Sequence, residues 1–156
     1  MALLIGDVFR RAAAVTPGRP AASLGDDVLT FAALDTKANT IARGLRARGV
    51  EHGHRVAWWG ETELDAVPLF VALAKLGAVF VPLNPGLSDE ERAPVLAKAQ
   101  PHLVLTSIAA LTEGDAAEDV VEPALGEHDA HVIFFTSGST GAPKGVVLSH
   151  RANFLR

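Results

Sequence analysis

The residues best suited to chemistry lie at 136–145, which read Thr-Ser-Gly-Ser-Thr-Gly-Ala-Pro-Lys-Gly directly after the apolar run 132–135. Gly138, Gly141 and Gly145 tolerate backbone angles that other residues resist, so the chain can turn tightly enough to aim several N–H groups at one anion. Thr136, Ser137, Ser139 and Thr140 add hydroxyl donors, and Lys144 adds a point charge on a flexible stem. Together these residues make a polyphosphate cradle. A Walker loop is excluded, because counting from Gly138 puts Pro143 where its second glycine belongs. A dinucleotide fingerprint is excluded too, because Gly138 is followed by Ser139-Thr140-Gly141.

Other candidates carry less. His128-x-x-His131 has the spacing of a metal pair but straddles a polar stretch and a strand start, with no evident third ligand. His150 with Ser139 lacks the G-x-S-x-G elbow and an orienting carboxylate, so a hydrolase is not indicated. Arg43, Arg46 and Arg48 cluster at the end of a helix. We read them as a solvated face complementing the helix dipole, not as a nucleic-acid contact.

The elements that must position the loop alternate along the chain. A helix over 5–15 stops before Pro17, and strands around Gly25-Asp26-Asp27 form a hairpin. Thr30 caps a helix with the apolar stripe Phe31, Leu34, Ala38, Ile41 and Leu45, which Gly49 ends. Then come strand 55–59, helix 63–76 closed by Gly77, strand 79–83, helix 88–99 and strand 103–106. Ser88 and Glu91 form a capping box, whereas Pro68 and Pro94 imply kinks. This order implies an α/β fold with a parallel β-α-β-α-β unit and helices on both sheet faces. Leu73, Val79, Val81, Leu103, Val104, Ile133 and Phe135 are the expected core, and adjacent Trp58 and Trp59 should point to opposite faces. The loop then sits at the carboxyl end of strand 132–135, where open α/β sheets bind ligands.

Composition fits one globular unit of 156 residues, 49% hydrophobic and 21% charged, with no cysteine and a formal net charge of −4. The absence of cysteine removes disulfides and zinc–thiolate sites and fits a cytoplasmic setting, peripheral membrane association included. No apolar run reaches the roughly 20 residues a spanning helix needs. Seven acids between Thr112 and Ala130, with no Lys or Arg among them, read as a solvated acidic linker. The expected organisation is an opening helix-and-hairpin segment 1–54, a core 55–106, an acidic linker 107–130, and a strand with the phosphate loop and the next element over 131–156.

The ten residues 136–145 resemble, nearly letter for letter, the phosphate-loop signature of the adenylate-forming (AMP-binding) enzymes: acyl- and aryl-CoA synthetases, luciferases and peptide-synthetase adenylation domains. The segments 29–34, 73–85 and 145–153 resemble other segments of that family, and Val81-Pro82-Leu83-Asn84-Pro85 is closest to the acyl-CoA synthetase or fatty-acid–CoA ligase branch. The resemblance implies that Thr136, Ser137, Gly138, Ser139, Thr140, Gly141 and Lys144 hold the β- and γ-phosphates of ATP. Thr136 would help place a phosphate-bound Mg ion, Lys144 would neutralise the leaving pyrophosphate, and His150 would support the loop. It also implies a small carboxylate substrate, a fatty or aryl acid, and CoA as acceptor. In that family the adenine, ribose and catalytic-lysine segments follow the loop. The expectation is therefore the amino-terminal part of such an enzyme, inactive alone and associating with copies of itself or with a carboxy-terminal partner chain. A non-catalytic phosphate-binding module and a structural half of a split enzyme are the alternatives.

Overall fold

The computed structural model describes residues 2–61, 63–112, 118–137 and 142–155, Ser137 by its backbone only. Helix α1 (Ile5–Val15) precedes a hairpin of β1 (Pro20–Leu24) and β2 (Asp27–Thr30), then α2 (Phe31–Ala47). There follow β3 (Arg55–Trp58), α3 (Ala66–Leu76), β4 (Val79–Pro82), α4 (Asp89–Ala99) and β5 (Leu103–Leu105). The chain closes with β6 (Ala130–Ser137), β7 (Pro143–Ser149) and α5 (His150–Phe154).

The five-stranded sheet has the order β5-β3-β4-β6-β7. Pairings β3–β4, β3–β5 and β4–β6 are parallel, as the helical crossovers require, and β6–β7 is antiparallel. The α/β class with a parallel sheet is therefore present, extended by an antiparallel edge strand.

Local chemistry sets the boundaries. Gly25 takes φ +59° at the first position of the two-residue turn between β1 and β2. Thr30 accepts from the Ala33 amide at the start of α2, and the Ser88–Glu91 capping box opens α4. At the end of α3, Gly77 takes φ +68° and the Ala78 amide reaches back to the Leu73 carbonyl at 3.0 Å. Helix α3 begins at Ala66 and not at Glu63, because residues 63–65 form a tight turn instead: the Ala66 amide bonds Glu63 O at 3.2 Å. Pro68 thus falls in the first turn, where its missing N–H is not needed. Pro94 does lie inside its helix.

Strand alternation divides the core in two. Val56, Trp58, Phe80 and Val132 meet α2 and α3, while Ala57, Val81 and Leu83 meet Val95 and Ala99 of α4 with Trp59, Ile133 and Phe135 beside them. The two tryptophans do face opposite ways, and the Arg92 guanidinium sits 3.3 Å from the Trp59 ring centroid. Of the expected core residues, Leu73, Val79 and Val81 are buried and Leu103, Ile133 and Phe135 half-buried. Val104 is the correction: it is 42% exposed on a three-residue edge strand with β3 alone beside it.

The expected solvated linker is also corrected. In its described part the segment from Ser107 to Asp129 is an ordered strap that buries Ile108, Leu111 and Val120. The three arginines read as a solvated face bind it: Arg43 donates to Glu118 O at 2.6 Å, Arg46 to Val121 O at 3.3 Å and Arg48 to Ala110 O at 3.0 Å. Composition hid this because Asp119 pairs with Lys75 and Arg10 and Glu122 with Arg46, cations distant in sequence.

Candidate functional site

The site is built on the β6–β7 hairpin. Its register pairs Phe134 with Val146, Phe135 with Gly145, Thr136 with Lys144 and Ser137 with Pro143. Thr136 and Lys144 therefore face each other at the mouth of the loop, both exposed. The Thr136 hydroxyl lies 3.5 Å from the Lys144 carbonyl. Gly145 permits this pairing, since a Cβ there would come within 3.1 Å of Ile133 Cγ2 and 3.3 Å of the Phe135 ring. Gly138, Ser139, Thr140, Gly141 and the Ser137 side chain lie outside the described residues.

Lys144 makes no ion pair among the described residues. An exposed ammonium with no ion pair among the described residues, on the residue paired across the hairpin with Thr136, is a donor that fits an anion. Next to it opens a cleft of about 450 Å³ lined by Pro82, Leu83 and Asn84 at the carboxyl end of β4, Phe135 and Thr136 of β6, Pro143 of β7, and Leu87, Glu91, Pro94 and Val95. This is the ligand edge of an open α/β sheet. Two of its polar groups are already engaged: Asn84 Oδ1 accepts from the Gly86 amide at 2.9 Å, and the Glu91 carboxylate accepts from the Ser88 amide at 2.9 Å. The Ser88 N–H and hydroxyl hold the Glu91 carboxyl below its ordinary value.

The base of the hairpin is rigidly held. His131 and His150 are fully buried and stacked at 4.6 Å, and His150 Nδ1 accepts from the Ile5 amide at 3.3 Å. His150 is thus a support for the hairpin, as its position after the loop suggested. The His128–His131 pair does not converge: His128 is exposed beside Glu127, 3.6 Å away, and His131 points into the interior. Among the described residues no group of three or more His, Cys, Asp or Glu side chains could hold a metal. Asp129 and Glu127 tie the base to its surroundings. Asp129 bonds the Gly126 amide at 2.8 Å and His52 at 3.0 Å, and Glu127 bonds the Leu3 amide and Arg151, each at 2.8 Å.

Lys75 escaped the sequence reading as a residue of consequence. It is 2% exposed, with its ammonium 2.7 Å from Asp35, Asp119 and Asn39 oxygens alike. Asp119 in turn contacts Arg10, which contacts Asp7. Burial alone would raise the Asp119 carboxyl, but Lys75 and Arg10 outweigh it and the net shift is downward. The available signal was a lone charge in the apolar helix 66–76, which demands a buried partner.

A family model described as AMP-binding enzyme matches residues 9–156. The chain belongs to this family. Tyrocidine synthase 2 of Brevibacillus parabrevis is 34% identical over 160 residues, covering 93% of this chain and 4% of that protein. Feruloyl-CoA synthase of a Streptomyces species is 36% identical over 159 residues, covering 90% of this chain and 32% of its own. The AMP-binding fold is shared with the N-terminal subdomain of Klebsiella oxytoca NpsA in complex with 3-hydroxyanthranilyl-AMSN, at TM-score 0.85 and 27% identity over 97% of this chain and 41% of that one. The chain thus spans a third or less of these curated relatives. Peptide-synthetase and CoA-ligase relatives are comparably similar, so the family is shown at this level and not the branch. No helix among the described residues is long and apolar enough to cross a membrane.

Proposed function

We propose that this AMP-binding family member supplies the phosphate-loop part of an ATP-dependent carboxylate-activating site. The observation that carries the reading is the cross-strand pairing of exposed Thr136 with exposed Lys144, which has no ion pair among the described residues, at the tip of a hairpin on the sheet's ligand edge. In this reading Thr136, Ser137, Gly138, Ser139, Thr140 and Gly141 surround the β- and γ-phosphates. Lys144 meets the charge that gathers on pyrophosphate when a carboxylate displaces it from the α-phosphorus. A Mg ion held through the phosphates beside Thr136 would neutralise part of the same charge. The acid is a small carboxylate of the fatty or aryl class and the acceptor is CoA, supported by the feruloyl-CoA synthase relative and by the 81–85 wording.

The second reading, a peptide-synthetase adenylation unit passing its acyl group to a carrier-bound thiol, is favoured by the tyrocidine synthase relative. Titration of the 156-residue chain with ATP and Mg, followed by amide shifts at Thr136 and Lys144, tests the shared part. Saturable shifts that Lys144→Ala weakens at least tenfold support it, and their absence contradicts it. In a protein carrying this chain, thioester formed from free CoA selects the first reading, and thioester formed only on a carrier protein selects the second.

A further inference from the structure

The base of the hairpin holds two buried histidines that the phosphate reading does not use. His131 lies in β6 and His150 opens α5 directly after β7; the pairings Ala130–Ser149 and Val132–Leu148 set them side by side. Their rings are stacked with planes 26° apart, and His131 stands edge-on to Phe70 of α3 at 4.6 Å. His150 Nδ1 accepts from the amide of Ile5, the first residue of α1, and His131 Nδ1 lies 3.0 Å from the Asn153 side-chain amide. A ring nitrogen that accepts an N–H carries no proton, which assigns the proton to Nε2 in His150, and in His131 where the Asn153 NH2 is the donor. Neither Nε2 has a hydrogen-bond partner among the described residues. No carboxylate among those residues is hydrogen-bonded to either ring.

The charged groups around the pair are committed elsewhere. Asp7 and Arg10 of α1 pair with each other, and Asp129 of the strap pairs with His52 ahead of β3. Glu127 pairs with Arg151 of α5 and is followed by exposed His128. Lys75 of α3 is held by Asp35 and Asp119.

We propose that the His131–His150 stack is a proton-sensitive latch: with both rings neutral it docks the start of α1 on the base of the β6–β7 hairpin, and protonation of His150 releases that helix. Protonated Nδ1 would turn a donor toward the Ile5 donor and place an imidazolium against a second imidazole in an apolar site. The charged state therefore belongs to an open form in which the helix start has left the ring. Burial pushes His131 down to about 3, helped by the charge of His150 and opposed by the Phe70 backbone. Burial likewise holds His150 near 4, against the pull of Asp129. The open form binds protons at the ordinary histidine value of about 6.5, so acid below that value populates it. Glu127 is held below its ordinary range chiefly by the Leu3 amide, and Asp129 chiefly by the Gly126 amide, so both stay ionised over this window. The latch works whatever the hairpin tip binds.

Hydrogen exchange of the Ile5 amide, read by NMR in the 156-residue chain, tests it. The expected result is a protection factor that falls about tenfold per pH unit between pH 6 and 5. The fall should persist in His52→Gln, which removes the ring paired with Asp129, and should flatten in His150→Gln, whose amide oxygen accepts from Ile5 without titrating. A profile that is flat in the parent chain, is lost in His52→Gln or is unchanged in His150→Gln overturns the latch. Should His150→Gln fail to fold, ring nitrogen shifts of the parent chain decide. Unprotonated His150 Nδ1 at pH 7 with no titration above pH 5 supports the latch, and a ring that titrates near 6.5 in the folded chain overturns it.

Discussion

Two lysines, Lys75 and Lys144, show how the same side chain serves different ends. The Lys75 ammonium is enclosed by α1, α2, α3 and the strap, with two carboxylates and an amide oxygen on it. That of Lys144 stands exposed at a hairpin tip with no ion pair among the described residues. A cation whose partners are all internal holds the fold; one left exposed opposite Thr136 is available to an external anion. The hub of ions around Lys75 also fixes the strap that leads into β6, so the first lysine secures the platform on which the second is displayed.

Breaking the buried member should have the largest effect. Lys75→Met leaves Asp35 without a cation and Asp119 with Arg10 alone, and should cost about 3–5 kcal/mol of stability in urea unfolding. A loss below about 1 kcal/mol would show that the hub is not what holds the strap.

Acid should come next. His131 and His150 sit near 3 and 4 in the folded chain, whereas the unfolded chain binds protons near 6.5. The unfolded state therefore holds more protons between these values. Stability is full above about pH 6.5 and falls as pH drops through the window, by roughly 4 kcal/mol at pH 5 for the two rings together. Urea midpoints measured from pH 7.5 to 5 check this; a flat profile would mean that the rings are not buried neutral.

A smaller change sharpens the comparison from outside both regions. Ser88→Ala removes one half of the capping box of α4 and should cost about 1 kcal/mol, visible as a modest shift in Tm. It should leave the Lys75 hub untouched, since additivity holds for distant sites.

What could be read in advance follows the range of the interaction involved. Thr30, Ser88 with Glu91, Gly49 and Gly77 act on residues a few positions away, so the helices they bound were legible, as was the parallel order that helical crossovers impose. The start of α3 was misplaced by the turn at 63–65, whose Glu63 and Leu64 carbonyls accept from the Ala66 and Val67 amides. The strap was missed because Asp119 and Glu122 are paired with Arg10, Lys75 and Arg46, far away in sequence, and because its few apolar residues are diluted among polar ones. At the site, residue types pointed to the loop and to an anion. The antiparallel register that sets Thr136 opposite Lys144 depends on β7 folding back, and nothing in the run 146–148 distinguishes that from another buried strand.

The most direct test of the central claim uses inorganic tripolyphosphate, which carries the phosphates without the base. Titrated into the 156-residue chain, it should give saturable amide shifts at Thr136, Ala142, Lys144 and Gly145. Lys144→Ala should reduce the affinity about tenfold while changing stability by less than about 0.5 kcal/mol. Equal affinity in the parent and Lys144→Ala chains, or shifts confined to the neighbourhood of Arg43, Arg46 and Arg48, would contradict the account.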